Sequence, residues 1–169
     1  MAEQIINKVK QNTKLVNIDL QKFYPSVEQV ELDIKQFLFH ELLLKEKDFR
    51  DYLANHDWKQ YEGKALAVFC SSDAIIAPWA YMLIMGYAKE VASEVFIGSP
   101  EQLLFDLYRQ ALDEHDWSQY ADKFVMLKGC SDVTVPESIY ALATNKLMAF
   151  SKKVMYGEAC SNVPIWKKS

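Results

Sequence analysis

From Lys64 onward the chain alternates short apolar runs with longer, partly apolar segments. Ala65–Phe69 and Phe124–Leu127 are continuous runs of strand length and suit strands buried on both faces. Each is followed by a polar loop, Ser71-Ser72-Asp73 or Cys130-Ser131-Asp132, and then by a proline, Pro78 or Pro136. At a helix start the fixed φ and missing N–H of proline cost nothing. Ile139, Leu142, Leu147, Phe150 and Val154 form a stripe near the 3.6-residue period of a helix. The segment around Trp79–Ala92 is apolar nearly all round, which predicts the more deeply buried helix of the two. Short strands are expected at Val95–Ile97 and Val154–Tyr156. Between them, Ser99-Pro100-Glu101-Gln102 is a capping box that opens an amphipathic helix carrying Leu103, Leu107, Tyr108 and Leu112. The order β-α-β-α-β-α-β predicts an α/β fold: an open, largely parallel sheet with helices on both faces and right-handed crossovers.

Before Lys64 the pattern is less regular. Leu15–Leu20 and Val27–Ile34 alternate like strands and are separated by the turn-like Tyr24-Pro25-Ser26. Phe37–Leu44 fits helix or strand equally. Lys45–Asn55 fits a helix with Phe49, Tyr52 and Leu53 inward. This leading third is expected to add antiparallel strands to the sheet edge or to form a small subdomain. No Gly/Ser/Pro-rich linker sets it apart, so one domain over residues 1–169 is expected. Its parts are the leading segment (1–55), a repeat (56–98), a connecting helix (99–114), a second repeat (115–157) and a tail (158–169).

The repeats share the pattern HDWxQYxxK, beginning at His56 and at His115. At this 59-residue offset 12 of 43 aligned positions are identical, where random pairing gives roughly two or three. The expectation is a duplicated βαβ unit. The tryptophan and tyrosine of each motif precede a strand, where their polar atoms are suited to pinning a helix-to-strand turn.

Composition narrows the functional classes. The 169 residues carry a formal net charge of −4, and only Arg50 and Arg109 are arginines. That argues against nucleic acid or an anionic membrane as a partner. The longest uncharged apolar stretch, Ala74–Ala88, contains Pro78 and Gly86 and falls short of the ~20 residues a bilayer span needs. The N-terminal residues lack the apolar core of a secretory signal, so a cytoplasmic location with reduced thiols is expected.

Every cysteine falls near a predicted strand end: Cys70 and Cys130 directly after a strand, Cys160 shortly after the last. In open parallel sheets ligands bind beyond the carboxyl ends of the strands. Thiolates there suit zinc or an iron–sulfur cluster, and Asp73, Asp132, Ser71 and Ser131 are the neighbouring candidates for contacting a cofactor. Three classes of function follow. One is an accessory protein holding metal through Cys70, Cys130 and Cys160. A second is a cysteine-dependent redox protein or enzyme acting on a small molecule in the same crevice. The third is an interaction scaffold, possible as a homo-oligomer, whose cysteines are merely packed. No glycine-rich nucleotide motif is present.

Five segments carry a family resemblance: Asn55-His56-Asp57-Trp58, Cys70 to Ile76, Pro78 to Met82, Lys128 to Asp132, and Tyr156 to Ser161. Together the chain resembles, over nearly its whole length, the bacterial family called domain of unknown function 2480. One departure is Ala77, which stands where the family's proline directly follows Ile76. The resemblance implies no activity. It does imply a genomic setting near iron–sulfur assembly components, and hence possible partners of that kind and a thiolate or metal role.

Overall fold

The computed structural model describes residues 14–129, 132–158 and 161–169. Within them the chain forms β1 (Leu15–Asp19), β2 (Gln29–Asp33), α1 (Glu46–Asn55), β3 (Ala65–Phe69), α2 (Pro78–Ala88), β4 (Glu94–Ile97), α3 (Pro100–Glu114), β5 (Phe124–Lys128), α4 (Glu137–Met148), β6 (Lys153–Glu158) and β7 (Ser161–Lys167). Short 3₁₀ turns follow β1 and β2 and precede β3 and β5. The α/β alternation is as the sequence predicts, and the largely parallel architecture is present. It is divided between two sheets, ordered β2-β3-β4 and β1-β5-β6-β7. All neighbours are parallel except β6 and β7.

The chain accordingly clusters into two compact units. One is continuous, Pro25–Asp106; the other is split, Met1–Tyr24 with Leu107–Ser169. Each leading strand is the parallel edge of one sheet, which corrects the antiparallel placement expected for them. β1 pairs with β5 from Leu15↔Phe124, and β2 pairs with β3 from Gln29↔Ala65. The tail residues Ser161–Lys167 form the one antiparallel edge strand.

The repeated segments adopt matching local structure at the 59-residue offset. Gly63 and Asp122 both have positive φ, 69° and 57°. The N–H of Gly63 donates to Val91 O at 3.0 Å and that of Asp122 to Phe150 O at 3.1 Å. Trp58 Nε1 donates to Leu53 O, and Trp117 Nε1 to Leu112 O. Asp57 and Asp116 each cap the 3₁₀ turn that follows. The indoles thus tie the end of the preceding helix to the turn that launches the central strand. Those central strands, β3 and β5, are the most buried, as continuous apolar runs flanked by two neighbours should be.

The expected contrast in burial between α2 and α4 is slight, since α4 buries a similar stripe, Ile139, Ala143 and Leu147. α2, uncharged throughout, buries only Ala80, Ile84 and Ala88, a single stripe at four-residue spacing. Met82 on its other side is 72% exposed, and Ile75 just before the helix is 97% exposed. Two alanines and Ile84 make the packed face here, while other apolar residues such as Met82 and Tyr87 stay exposed.

Candidate functional site

In the continuous unit, β2 and β3 run parallel with Asp33 beside Phe69, so the residues after both strands meet at one end of the sheet. Asp33 accepts from the N–H of Lys35 at 2.9 Å and so caps the turn that follows it. It also accepts from Ser71 N at 3.0 Å and from Ser71 Oγ at 2.5 Å. Burial raises the Asp33 carboxyl, but the Ser71 hydroxyl, the Lys35 and Ser71 N–H groups and the Lys35 charge outweigh it and hold it below the usual range. The loop after β3 is thereby fastened to the end of β2.

Fastening that loop presents Cys70. Its thiol lies 3.2 Å from Ser72 Oγ, which also accepts from Ala74 N at 3.3 Å. The two line a cleft of about 390 Å³ together with Tyr81 of α2 and Ser99 and Gln102 at the start of α3. Burial, and secondarily the neighbouring Cys70, push the Tyr81 phenol up. The far wall is the capping box anticipated from sequence: Ser99 N donates to Gln102 Oε1 at 2.9 Å, and Gln102 N to Ser99 Oγ at 3.3 Å. Gly98, with φ 154°, completes that wall, because a Cβ there would lie 2.5 Å from Gln102 Oε1. The cleft thus combines a thiol, three hydroxyls and an amide on an otherwise apolar floor. Such groups can orient a small polar ligand.

The split unit has a cleft of about 370 Å³ at the matching place. Leu127, Tyr140 and Tyr156 line it where Val68, Tyr81 and Ile97 line the first. The remaining lining differs: Glu137, Ala141, Thr144 and, from β7, Ile165. Gly129 takes the position of Cys70, and a Cβ on it would collide with the Tyr140 hydroxyl. Nearby, Tyr108 is fully buried and its hydroxyl has no hydrogen-bond partner among the described residues. Burial, with Tyr24, Tyr140 and Asp19 close by, pushes that phenol up to about 12.

The residues proposed from sequence fall as follows. Cys70 lines the first cleft, and Ser71 beside it serves Asp33. Asp73 and Asp132 are both exposed; Asp132 accepts from Gln21 Nε2 at 3.4 Å. Cys130, Ser131 and Cys160 lie outside the described residues. β3 and β5 belong to different sheets, so the single shared sheet edge from which a three-thiol site was argued is replaced by one edge per unit. Among the described residues no three His, Cys, Asp or Glu side chains gather as a metal-ligand group.

Three contributors went unnoticed in the sequence: Asp33, the tyrosine pair Tyr81/Tyr140, and the capping-box wall as part of a cleft. A signal existed for each. Val16, Asp19 and Phe23 recur as Val30, Asp33 and Phe37 at an offset of 14, and the tyrosines are identical positions of the long repeat. Matching hydrogen bonds reflect the short repeat: Ala65 N donates to Glu28 O, and Phe124 N to Lys14 O.

Fold and clefts together define an α/β protein of two units, each a parallel three-strand core with a ligand-sized cleft beyond its strand ends. The chain belongs to the family described as Protein of unknown function (DUF2480), whose model matches residues 3–168. No curated protein and no solved structure matches it. No helix among the described residues is long and apolar enough to cross a membrane.

Proposed function

We propose that the protein is an accessory protein that binds a small ligand in the cleft at the carboxyl ends of β3 and β4, with the Cys70 thiol as its soft contact. The observation that carries this reading is the convergence of Cys70, Ser72, Tyr81, Ser99 and Gln102 on one cleft whose loop is fastened by Asp33. Open parallel sheets bind ligands at this edge. A second reading makes the bound species zinc or an iron–sulfur cluster, with the Cys70 thiol as one of its ligands. It is favoured by the half-buried thiol, which packs against the core and also lines the cleft.

Native mass spectrometry of anaerobically purified protein separates the two. The first reading expects an organic adduct that disappears in Cys70→Trp, which fills the cleft, and survives in Cys130→Ser and Cys160→Ser. The second expects zinc, or iron with labile sulfide, lost in Cys70→Ser. Wild-type protein isolated without any adduct counts against both.

A further inference from the structure

We propose that the cleft of the split unit is a binding site for a small apolar ammonium compound of the arylalkylamine type, independently of the reading given above for the continuous unit. The walls are apolar and aromatic. Leu127, Ala141 and Ile165 are aliphatic, and Tyr140 and Tyr156 meet edge to face with ring centroids 5.8 Å apart. Thr144 contributes its methyl group, because its hydroxyl donates to Tyr140 O at 2.8 Å. Tyr156 and Ile165 are about half exposed, at 48% and 51%, so a guest would cover apolar surface now in water.

The charge at the rim selects the guest. Glu137 is the only charged residue among the described residues lining the cleft. It stands in the first turn of α4, where the helix dipole favours a carboxylate. The other acids at this end of the sheet are engaged: Glu158 is paired with Lys128 at 3.3 Å, Asp132 accepts from Gln21 Nε2 at 3.4 Å, and Asp19 caps the turn after β1. The split unit as a whole carries more basic than acidic residues, so an acid at the cleft is a local feature and not a reflection of net charge. A carboxylate beside two tyrosine rings attracts a cation, by Coulomb interaction and by the ring quadrupoles. The same carboxylate repels an anion. The volume of about 370 Å³ lies within the usual range for small-molecule sites. The matching cleft of the continuous unit has Pro78 in place of Glu137 and Ile97 in place of Tyr156, and therefore lacks both the acid and the second ring.

Phenethylammonium and its neutral analogue 2-phenylethanol, titrated into the full chain and followed by calorimetry and by the tyrosine ring resonances, test this. The ammonium should bind about tenfold more tightly than the alcohol, the factor expected when a cation gains a carboxylate and aromatic faces. Glu137→Gln should remove most of that preference, leaving the part due to the rings, with the alcohol's affinity little changed, and Tyr156→Ala should weaken both probes. Shifts should centre on Tyr140 and Tyr156. Equal binding of the two probes, no saturable binding of the ammonium, a preference undiminished by Glu137→Gln, or shifts confined to other tyrosines would each overturn the proposal.

Discussion

The continuous and the split unit place the same elements around the same kind of cleft and line it with opposite chemistry. In the first, a thiol, hydroxyls and the Gln102 amide face the space, and the wall beyond β4 is the start of α3. In the second, tyrosines and aliphatic side chains face it, and β7 contributes Ile165. One substitution accounts for part of the difference. Where the continuous unit has Cys70, the split unit has Gly129, and the room a side chain would take is occupied by the Tyr140 hydroxyl. Backbone hydrogen bonding and turn capping are held in common, whereas the side chains at the strand ends are free to diverge. The scaffold and the site thus answer to different residues, as is usual where ligand groups sit on loops carried by a rigid sheet.

The largest effect that tests this comparison concerns the pins beneath the clefts. Trp117 is buried, at 6% exposure, and its Nε1 lies 2.6 Å from Leu112 O. Trp58 makes the same bond at 2.8 Å but is only half-buried, stacked on Tyr87. Trp117→Ala should cost about 3–5 kcal/mol, the range for truncating a buried aromatic, and Trp58→Ala distinctly less. Urea unfolding of both variants measures the gap. Equal losses would mean that the pins are not graded by burial.

A smaller effect tests the exchange at the strand ends. Gly129→Ala should destabilise by about 1–3 kcal/mol, because the new methyl group must displace the Tyr140 hydroxyl in a packed setting. Adding Tyr140→Phe to Gly129→Ala should restore much of the loss. Cys70→Ala, at the matching position, creates no such collision and should stay within about 1 kcal/mol of wild type. If Gly129→Ala is as mild as Cys70→Ala in thermal unfolding, the two strand ends are not built differently.

How much of this was legible in the sequence varies with the kind of interaction. Periodicity and the HDWxQYxxK motif located the central strands, the helices after them and the capping box, because those features depend on neighbours within a few residues. Whether β3 and β5 share a sheet does not. It depends on which leading strand lies beside each, and Leu15–Asp19 and Gln29–Asp33 look alike as isolated strands. Only the 14-residue recurrence of Val16, Asp19 and Phe23 shows that each leading strand serves its own copy of the long repeat. The cysteines misled for a related reason. At the 59-residue offset Cys130 aligns with Ser71 and not with Cys70, so the thiols are not matched positions of the two repeats. Which side of α2 packs was unreadable because its buried stripe, Ala80, Ile84 and Ala88, and outward residues such as Met82 are equally apolar.

The smallest effect belongs to the histidine of the first motif. His56 packs against the rings of Phe37, Trp58 and Tyr61, and its Nε2 lies 2.9 Å from Tyr61 Oη. Burial, only partly opposed by the Asp57 carboxylate, holds the imidazole below its ordinary value of 6.5. The folded chain therefore keeps His56 neutral in a range where the unfolded chain has begun to bind a proton there. Its contribution to stability is complete above pH 6.5 and declines as the pH falls below that value toward the folded-state pKa. Urea midpoints taken between about pH 7.5 and 5.5 should fall in the acid half of that interval, with the decline reduced in His56→Gln. The ring-proton resonance of His56 should titrate below 6.5 in the same samples. A His56 that titrates at or above 6.5 would show that the aromatic surround stabilises the cation more than burial penalises it.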